Sequence, residues 1–187
     1  MDFLSLRGQI KSIRLSLETS EIKNLSSQVA KNFFSLIVTF NKSNFFIYNP
    51  IKNEVDTFEI IDRLLKMGKS VSYPVIDGEK LISAIPTSSE YITDHFGCKT
   101  PKDFTVMDKV EVAVIPLLAC DKNKNRICYG KGFYDRYLKD KNCIKIGLAY
   151  DFQVVDNFVP NPWDVPLDYI ITPTRIIGED YENFSNR

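Results

Sequence analysis

The residues that could do chemistry crowd into one stretch, Arg126-Ile-Cys-Tyr-Gly-Lys-Gly-Phe-Tyr-Asp-Arg-Tyr-Leu138. Gly130 and Gly132 carry no Cβ, so a ligand can come close to the backbone there. Lys131 stands between them and Arg126 ahead of them, which adds positive charge. The segment follows an apolar strand and a polar loop, Asp121–Asn125, and leads into a helical pattern. A helix start presents free backbone N–H groups and the positive end of the helix dipole. Together these features describe a cradle for a polyphosphate. Asp135 lies about one helical turn further on. It is placed to hold a metal that bridges phosphates, and magnesium prefers carboxylate and phosphate oxygens. The same letters also fit a plain tight turn followed by an amphipathic helix whose core contacts are Phe133, Tyr134, Tyr137 and Leu138. Neither the Walker A spacing nor the dinucleotide-binding G-x-G-x-x-G is present. A third reading takes Lys131–Tyr137 as an RNA-binding strand signature, but Asp135 occupies a position where that strand needs an aromatic.

Periodicity indicates the elements that would position this segment. Leu6, Ile10, Ile13 and Leu17 recur at helical spacing, predicting a helix from about Phe3 to Glu18. Ile22, Leu25, Val29, Phe33 and Leu36 predict a second helix after Thr19-Ser20, which gives an N-terminal helical pair. Asn44–Tyr48 reads as a strand, and Phe58, Ile61, Leu64 and Leu65 mark a third helix stopped at Gly68. Ser70–Ile76 and Leu81–Ile85 read as strands around the turn Asp77-Gly78. Pro86–Lys109 is polar and reads as irregular. Val110–Ile115 is a strand ended by Pro116, and a helix is expected from about Lys131 to Asp140. Ile144–Ala149 and Tyr169–Thr172 complete the strands, and the polar tail after Gly178 is expected to fray. Helices alternating with apolar strands specify an α/β fold: a mainly parallel, Rossmann-like sheet flanked by helices. With no repeat or linker, residues 1–187 read as a single domain.

Composition narrows the function classes. Lys+Arg 24 and Asp+Glu 24 cancel, so the basic excess of a dedicated nucleic-acid binder is missing. No apolar run approaches the roughly 20 residues of a membrane span. The N-terminus lacks a signal-peptide core, so a cytoplasmic location is expected. Cys98, Cys120, Cys128 and Cys143 form no C-x-x-C pair and read as reduced thiols. The only histidine, His95, reads as a loop residue rather than a zinc ligand or a triad member.

Arg126–Leu138 closely resembles the signature of the 5-formyltetrahydrofolate cyclo-ligase family, which runs approximately R-L-G-x-G-x-G-Y-Y-D-R-x-L. The resemblance covers most of the chain. Leu6-Arg7 with Lys11 and Arg14 is similar to the family's basic N-terminal helix, and Asn53–Thr57 to its E-[IV]-x-T segment. Phe96–Pro101 is similar to its F-G-I-x-E-P loop, and Val114-Ile-Pro116 to its proline-ended strand. Ile146–Gln153 and Val159–Thr172 are similar to its C-terminal strands with an intervening aspartate.

The resemblance implies an ATP- and magnesium-dependent ligase that converts 5-formyltetrahydrofolate to 5,10-methenyltetrahydrofolate, with small-molecule substrates and no nucleic-acid or membrane partner. It assigns the ATP phosphates to Arg126, Gly130, Lys131, Gly132, Phe133 and Tyr134, with Arg7 reaching the nucleotide from the first helix. Lys131 and Arg126 become the catalytic cations. Asp135 and Asp164 would hold Mg²⁺. Glu54 would meet the pterin, and Tyr129 to Phe133 would border the folate. Three positions depart from the family pattern: Cys128 replaces the first loop glycine, Phe3 a lysine, and Thr100 an acidic residue. These departures keep open a non-catalytic nucleotide-binding module of the same fold.

Overall fold

The computed structural model describes residues 3–178. The chain runs through α1 (Phe3–Leu15), α2 (Thr19–Ile37), β1 (Asn44–Ile47), α3 (Phe58–Lys66), β2 (Ser70–Asp77) and β3 (Lys80–Pro86). It continues through β4 (Tyr91–Thr93), β5 (Lys99–Pro101), β6 (Phe104–Val106), β7 (Val112–Ile115), β8 (Ala119–Cys120) and β9 (Arg126–Ile127). It closes with α4 (Phe133–Leu138), β10 (Ile144–Leu148), β11 (Tyr169–Ile171) and β12 (Ile176–Ile177). The tail expected to fray lies outside the described residues.

Eight strands form the main sheet in the order β12-β11-β10-β7-β1-β2-β3-β6. The central pairs β11/β10, β10/β7, β7/β1 and β1/β2 are parallel, whereas β12, β3 and β6 join antiparallel at the edges. The mainly parallel α/β sheet read from the sequence is therefore present. From β1 the chain adds β2 on one side and later returns to lay β7 on the other. Strand order reverses between β1 and β7, and a ligand crevice in such sheets opens beyond the carboxyl ends of the strands at that point.

Side chains alternate across the sheet as a pleat requires. Phe45, Ile47, Val112 and Val114 face one core with Val29, Phe33, Ile60 and Leu64 of α2 and α3. Phe46, Ala113, Ile115 and Ile170 face the other, where α4 supplies Leu138. Among the described residues, α4 is the helix that contributes to that second core. Gly147 belongs to the same packing: a Cβ there would lie 2.5 Å from Leu167 Cδ1 and 2.8 Å from Leu117 Cδ2.

Several features differ from the sequence reading, among them the short strands β8, β9 and β12, which it did not contain. The first helix ends at Leu15, and Glu18 caps the next one: its side chain takes the Glu21 backbone N–H while Glu21 Oε2 accepts the Glu18 N–H at 2.8 Å. Pro86–Lys109 is not irregular but holds β4, β5 and β6; three-residue strands are too short to show alternation. The helix expected over 131–140 covers only Phe133–Leu138, because Gly132 caps it in the left-handed conformation (φ 67°).

Candidate active site

The loop between β9 and α4 sits beside the crevice. Gly130 has φ 90° and Gly132 φ 67°, values that L side chains adopt only with strain. The Arg7 guanidinium lies over Gly130, and a Cβ there would come within 3.7 Å of its Nη1. The helix that carries Arg7 is thus brought against the glycine loop, although more than a hundred residues separate them in sequence.

Arg126 anchors the loop. It is 5% exposed, and its Nη2 donates to Asp135 Oδ1 at 2.6 Å. Its Nη1 points at Cys128 Sγ, also at 2.6 Å. Burial pushes the Cys128 thiol up, and the guanidinium pulls it only part of the way back. Asp135 Oδ1 also accepts the backbone N–H of Val165 at 3.1 Å, which brings the neighbouring Asp164 to the same place. Asp164 Oδ2 accepts from Asn161 N at 2.9 Å. The fold therefore gathers Asp135 and Asp164, 29 positions apart, around Arg126.

Two cavities meet at this loop. The larger, about 290 Å³, lies beyond β1 and β7, with Tyr48, Asn49 and Pro116 at the strand ends. Its walls are largely apolar, and Phe96 meets Phe133 edge-on with centroids 6.1 Å apart. Lys131, Phe133 and Tyr134 face this cavity, as do Tyr129 and Glu54. The smaller, about 250 Å³, is lined by Arg7, Gly130, Asp164 and the loop from Phe158 to Trp163. Trp163 stands on its rim, 70% exposed. Arg126, Cys128, Gly132 and Asp135 border both cavities.

The smaller cavity carries the mark of an anion site. Arg7 Nε and Arg126 Nε are buried, and neither has a hydrogen-bond partner among the described residues. A buried donor left unpaired costs about 1–3 kcal/mol, and the two cationic side chains line a cavity able to take an anionic ligand. The donors also suit magnesium with a polyphosphate. Asp135 and Asp164 each use one carboxylate oxygen for the bonds above, and Mg²⁺ typically takes one or two carboxylates together with phosphate and water.

At the floor of the larger cavity Glu54 is 5% exposed. Its Oε2 accepts Ile51 N at 3.0 Å, and its Oε1 accepts the Tyr129 hydroxyl at 3.1 Å. Burial holds its carboxyl above the ordinary value, against the opposing pull of the Ile51 N–H, Arg14, Tyr129 and Lys52. Arg14, read from sequence only as part of a basic helix, is 0% exposed and reaches the same group. Its spacing of seven from Arg7 was the available signal, since that interval puts both on one helix face.

The remaining candidates are settled by their neighbours. Asp94 Oδ1 accepts the backbone N–H groups of Phe96 and Cys98 at 2.9 Å each, and the His95 ring lies against Phe96; the pair closes a turn. Lys131–Tyr137 is a loop and a helix, not the strand that the RNA-binding signature requires. No three His, Cys, Asp or Glu residues cluster as a metal site among the described residues, and none of their helices is long and apolar enough to cross a membrane.

Comparison with known proteins places the fold in a family. Residues 4–173 match the model of the 5-formyltetrahydrofolate cyclo-ligase family. The chain is 34% identical over 175 residues to the 5-formyltetrahydrofolate cyclo-ligase of Mycoplasma genitalium, covering 91% of this chain and 98% of that one. It is 26% identical over 178 residues to the cyclo-ligase of Escherichia coli K12, covering 89% and 98%. Its fold superimposes on the NMR structure of Aquifex aeolicus 5,10-methenyltetrahydrofolate synthetase with a TM-score of 0.83 and 30% identity, over 94% of this chain and 92% of that one. It also superimposes on the Mycoplasma pneumoniae synthetase, with a TM-score of 0.76, 29% identity and coverage of 92% and 99%. Fold, loop and relatives converge: the chain belongs to the 5-formyltetrahydrofolate cyclo-ligase family.

Proposed function

We propose that the protein uses ATP to convert 5-formyltetrahydrofolate into 5,10-methenyltetrahydrofolate, with the folate in the larger cavity and the nucleotide in the smaller one. The observation that carries this reading is the shared wall. An apolar chamber and a cationic chamber touch along Arg126, Cys128, Gly132 and Asp135, which is what transfer of a phosphoryl group between two bound molecules requires. The formyl oxygen attacks the terminal phosphorus, and the bond from that phosphorus to ADP breaks. The neighbouring aniline nitrogen then adds to the activated formyl carbon and loses its proton. The C–O bond breaks, phosphate leaves, and the methenyl ring is closed.

Phosphoryl transfer of this kind is mostly positioning and charge neutralisation. Arg7 and Arg126 offer their unpaired N–H groups to the phosphates. The left-handed Gly130 and Gly132 keep the loop clear of Cβ atoms, and the first N–H groups of α4, at Phe133 and Tyr134, have no intrahelical partner. Lys131 sits between the two glycines, on the folate side of the wall, where its ammonium meets the phosphoryl group in passage. Glu54 accepts from the pterin N–H groups, and Tyr129 and Phe133 border the ring. Asp135 and Asp164 are the residues that would hold Mg²⁺, which when bound supplies charge neutralisation on the phosphate oxygens.

The test is direct: protein, ATP, magnesium and 5-formyltetrahydrofolate are mixed and the methenyl chromophore is followed. Nucleotide binding without chromophore growth would make the protein a non-catalytic module and end this reading. A second measurement examines the metal assignment. Asp135→Asn and Asp164→Asn are each expected to raise the half-saturating magnesium concentration, with partial rescue by excess magnesium. Their effects should be non-additive, because both act on one ion. An unchanged magnesium titration in both single variants would return the two aspartates to purely structural roles.

A further inference from the structure

The Arg14 side chain is fully buried and packs against Glu54 and Tyr129, which line the larger cavity, whereas Arg7 of the same helix lines the smaller one. Its Nε donates to Lys52 O at 2.9 Å and its Nη1 to Leu117 O at 3.3 Å. Its Nη2 donates to the Tyr129 hydroxyl, which in turn donates to Glu54 Oε1 at 3.1 Å. Arg14 Nη1 also stands 3.9 Å from that same carboxylate oxygen. One guanidinium therefore holds the segment that carries Glu54, the tyrosine at the rim and, through both, the acidic group itself.

We propose that Arg14 is a positioning residue for folate binding: it locks Glu54 and Tyr129 into one unit and keeps the Glu54 carboxylate charged, ready to accept from the pterin. The inference rests on the reading of the larger cavity as the folate site. Its physical basis is the imbalance at Glu54. Burial alone drives a carboxyl toward the neutral acid, which could donate where it must accept. The groups facing Glu54 that can oppose this are few. Arg14 and Lys52 are cations. The other titratable neighbours are Tyr48, Tyr129, Tyr134, Tyr150, Cys98 and Cys128. Burial pushes all six above their ordinary values, so they stay protonated and neutral near neutral pH. Lys52 also lies over the Tyr129 ring, 5.4 Å from its centroid. Arg14 is thus the cation in direct reach of both partners.

Four proteins decide the matter: wild type, Arg14→Gln, Arg14→Lys and Tyr129→Phe. For each, KM and kcat are measured for 5-formyltetrahydrofolate and for ATP across the acid limb of the pH profile. Glu54 must be ionised to act, so activity toward folate falls as pH drops through its pKa. Without the guanidinium that pKa rises further. In Arg14→Gln the acid limb of kcat/KM for folate is expected to move up by about one pH unit. The folate KM at neutral pH should rise roughly ten-fold, with the ATP KM unchanged. Arg14→Lys restores the charge without the fork, so its acid limb should return to the wild-type position while the folate KM stays a few-fold high. Tyr129→Phe cuts the relay without disturbing the buried guanidinium's backbone bonds, and it too should raise the folate KM and spare that for ATP. If Arg14→Gln does not fold, the Lys and Phe variants carry the decision. Wild-type folate KM in both, or an acid limb that does not move in a folded Gln variant, overturns the proposal. A wild type that binds both ligands but forms no methenyl product overturns the reading of the site instead.

Discussion

Replacing Lys131 by alanine is expected to lower kcat by roughly two to three orders of magnitude while the fold survives. The loss corresponds to about 2–4 kcal/mol, the usual scale for removing one electrostatic donor from a transition state. The residue is exposed and makes no ion pair among the described residues, so stability should change little. Lys131 stands between two glycines whose positive φ a side-chain-bearing residue would adopt only with strain. Glycines at φ 90° and φ 67° shape the loop that sets Lys131 on the wall of the larger cavity. The check is single-turnover kinetics with saturating ATP and folate, together with a circular dichroism spectrum. The KM values should move less than kcat, because the charge that Lys131 meets grows only in the transition state. Near-wild-type turnover would remove Lys131 from the mechanism.

The second large effect is on stability. Arg126→Met is expected to cost about 3–5 kcal/mol, because it strands a carboxylate that loses its buried partner. Arg126 and Asp135 have side-chain exposures of 2% and 14%, and their contact is 2.6 Å. Among the described residues, Asp135 would keep the Val165 N–H. Urea unfolding of wild type, Arg126→Met, Asp135→Asn and the double variant gives the coupling. The double variant should recover part of the stability lost by Arg126→Met, since no charge is left unpaired, yet it should not recover turnover. The idea fails if Arg126→Met unfolds at the wild-type urea concentration.

These two residues were legible in the sequence for different reasons. Lys131 lies between glycines, and glycine spacing is a local backbone signal that survives without tertiary context. Arg126 was legible as a cation just ahead of the glycines, but its burial was not, because nothing in its sequence neighbours requires an arginine to be buried. Arg14 shows where sequence reading stops. On an amphipathic helix a basic residue is read as solvated, and its complete burial depends on Lys52, Leu117 and Tyr129, which come from elsewhere in the chain. The sheet was readable because strands such as Val112–Ile115 are apolar throughout, as a strand covered on both faces must be. The short strands between Pro86 and Lys109 pair by hydrogen bonds in segments too brief to carry a period. The α4 helix came out shorter than its apolar spacing suggested, because the start is set by the Gly132 backbone and not by periodicity.

The exposed indole on the rim of the smaller cavity has an optical consequence. Trp163 is the chain's only tryptophan, so its emission is not diluted by other indoles. It belongs to the Phe158–Trp163 loop, next to Asp164, and lines the same cavity as Arg7 and Gly130. A nucleotide entering there would change the ring's solvation, and with it the intensity and wavelength of its fluorescence. ATP titrated into the protein should therefore quench or shift the emission with a single saturable curve. A folate chosen not to absorb at the excitation wavelength should leave it nearly untouched, because the larger cavity does not include Trp163. An emission spectrum blind to ATP in a protein that turns over would place the base away from this rim. A response would let the two ligands be counted onto the protein separately, by light alone, without a label.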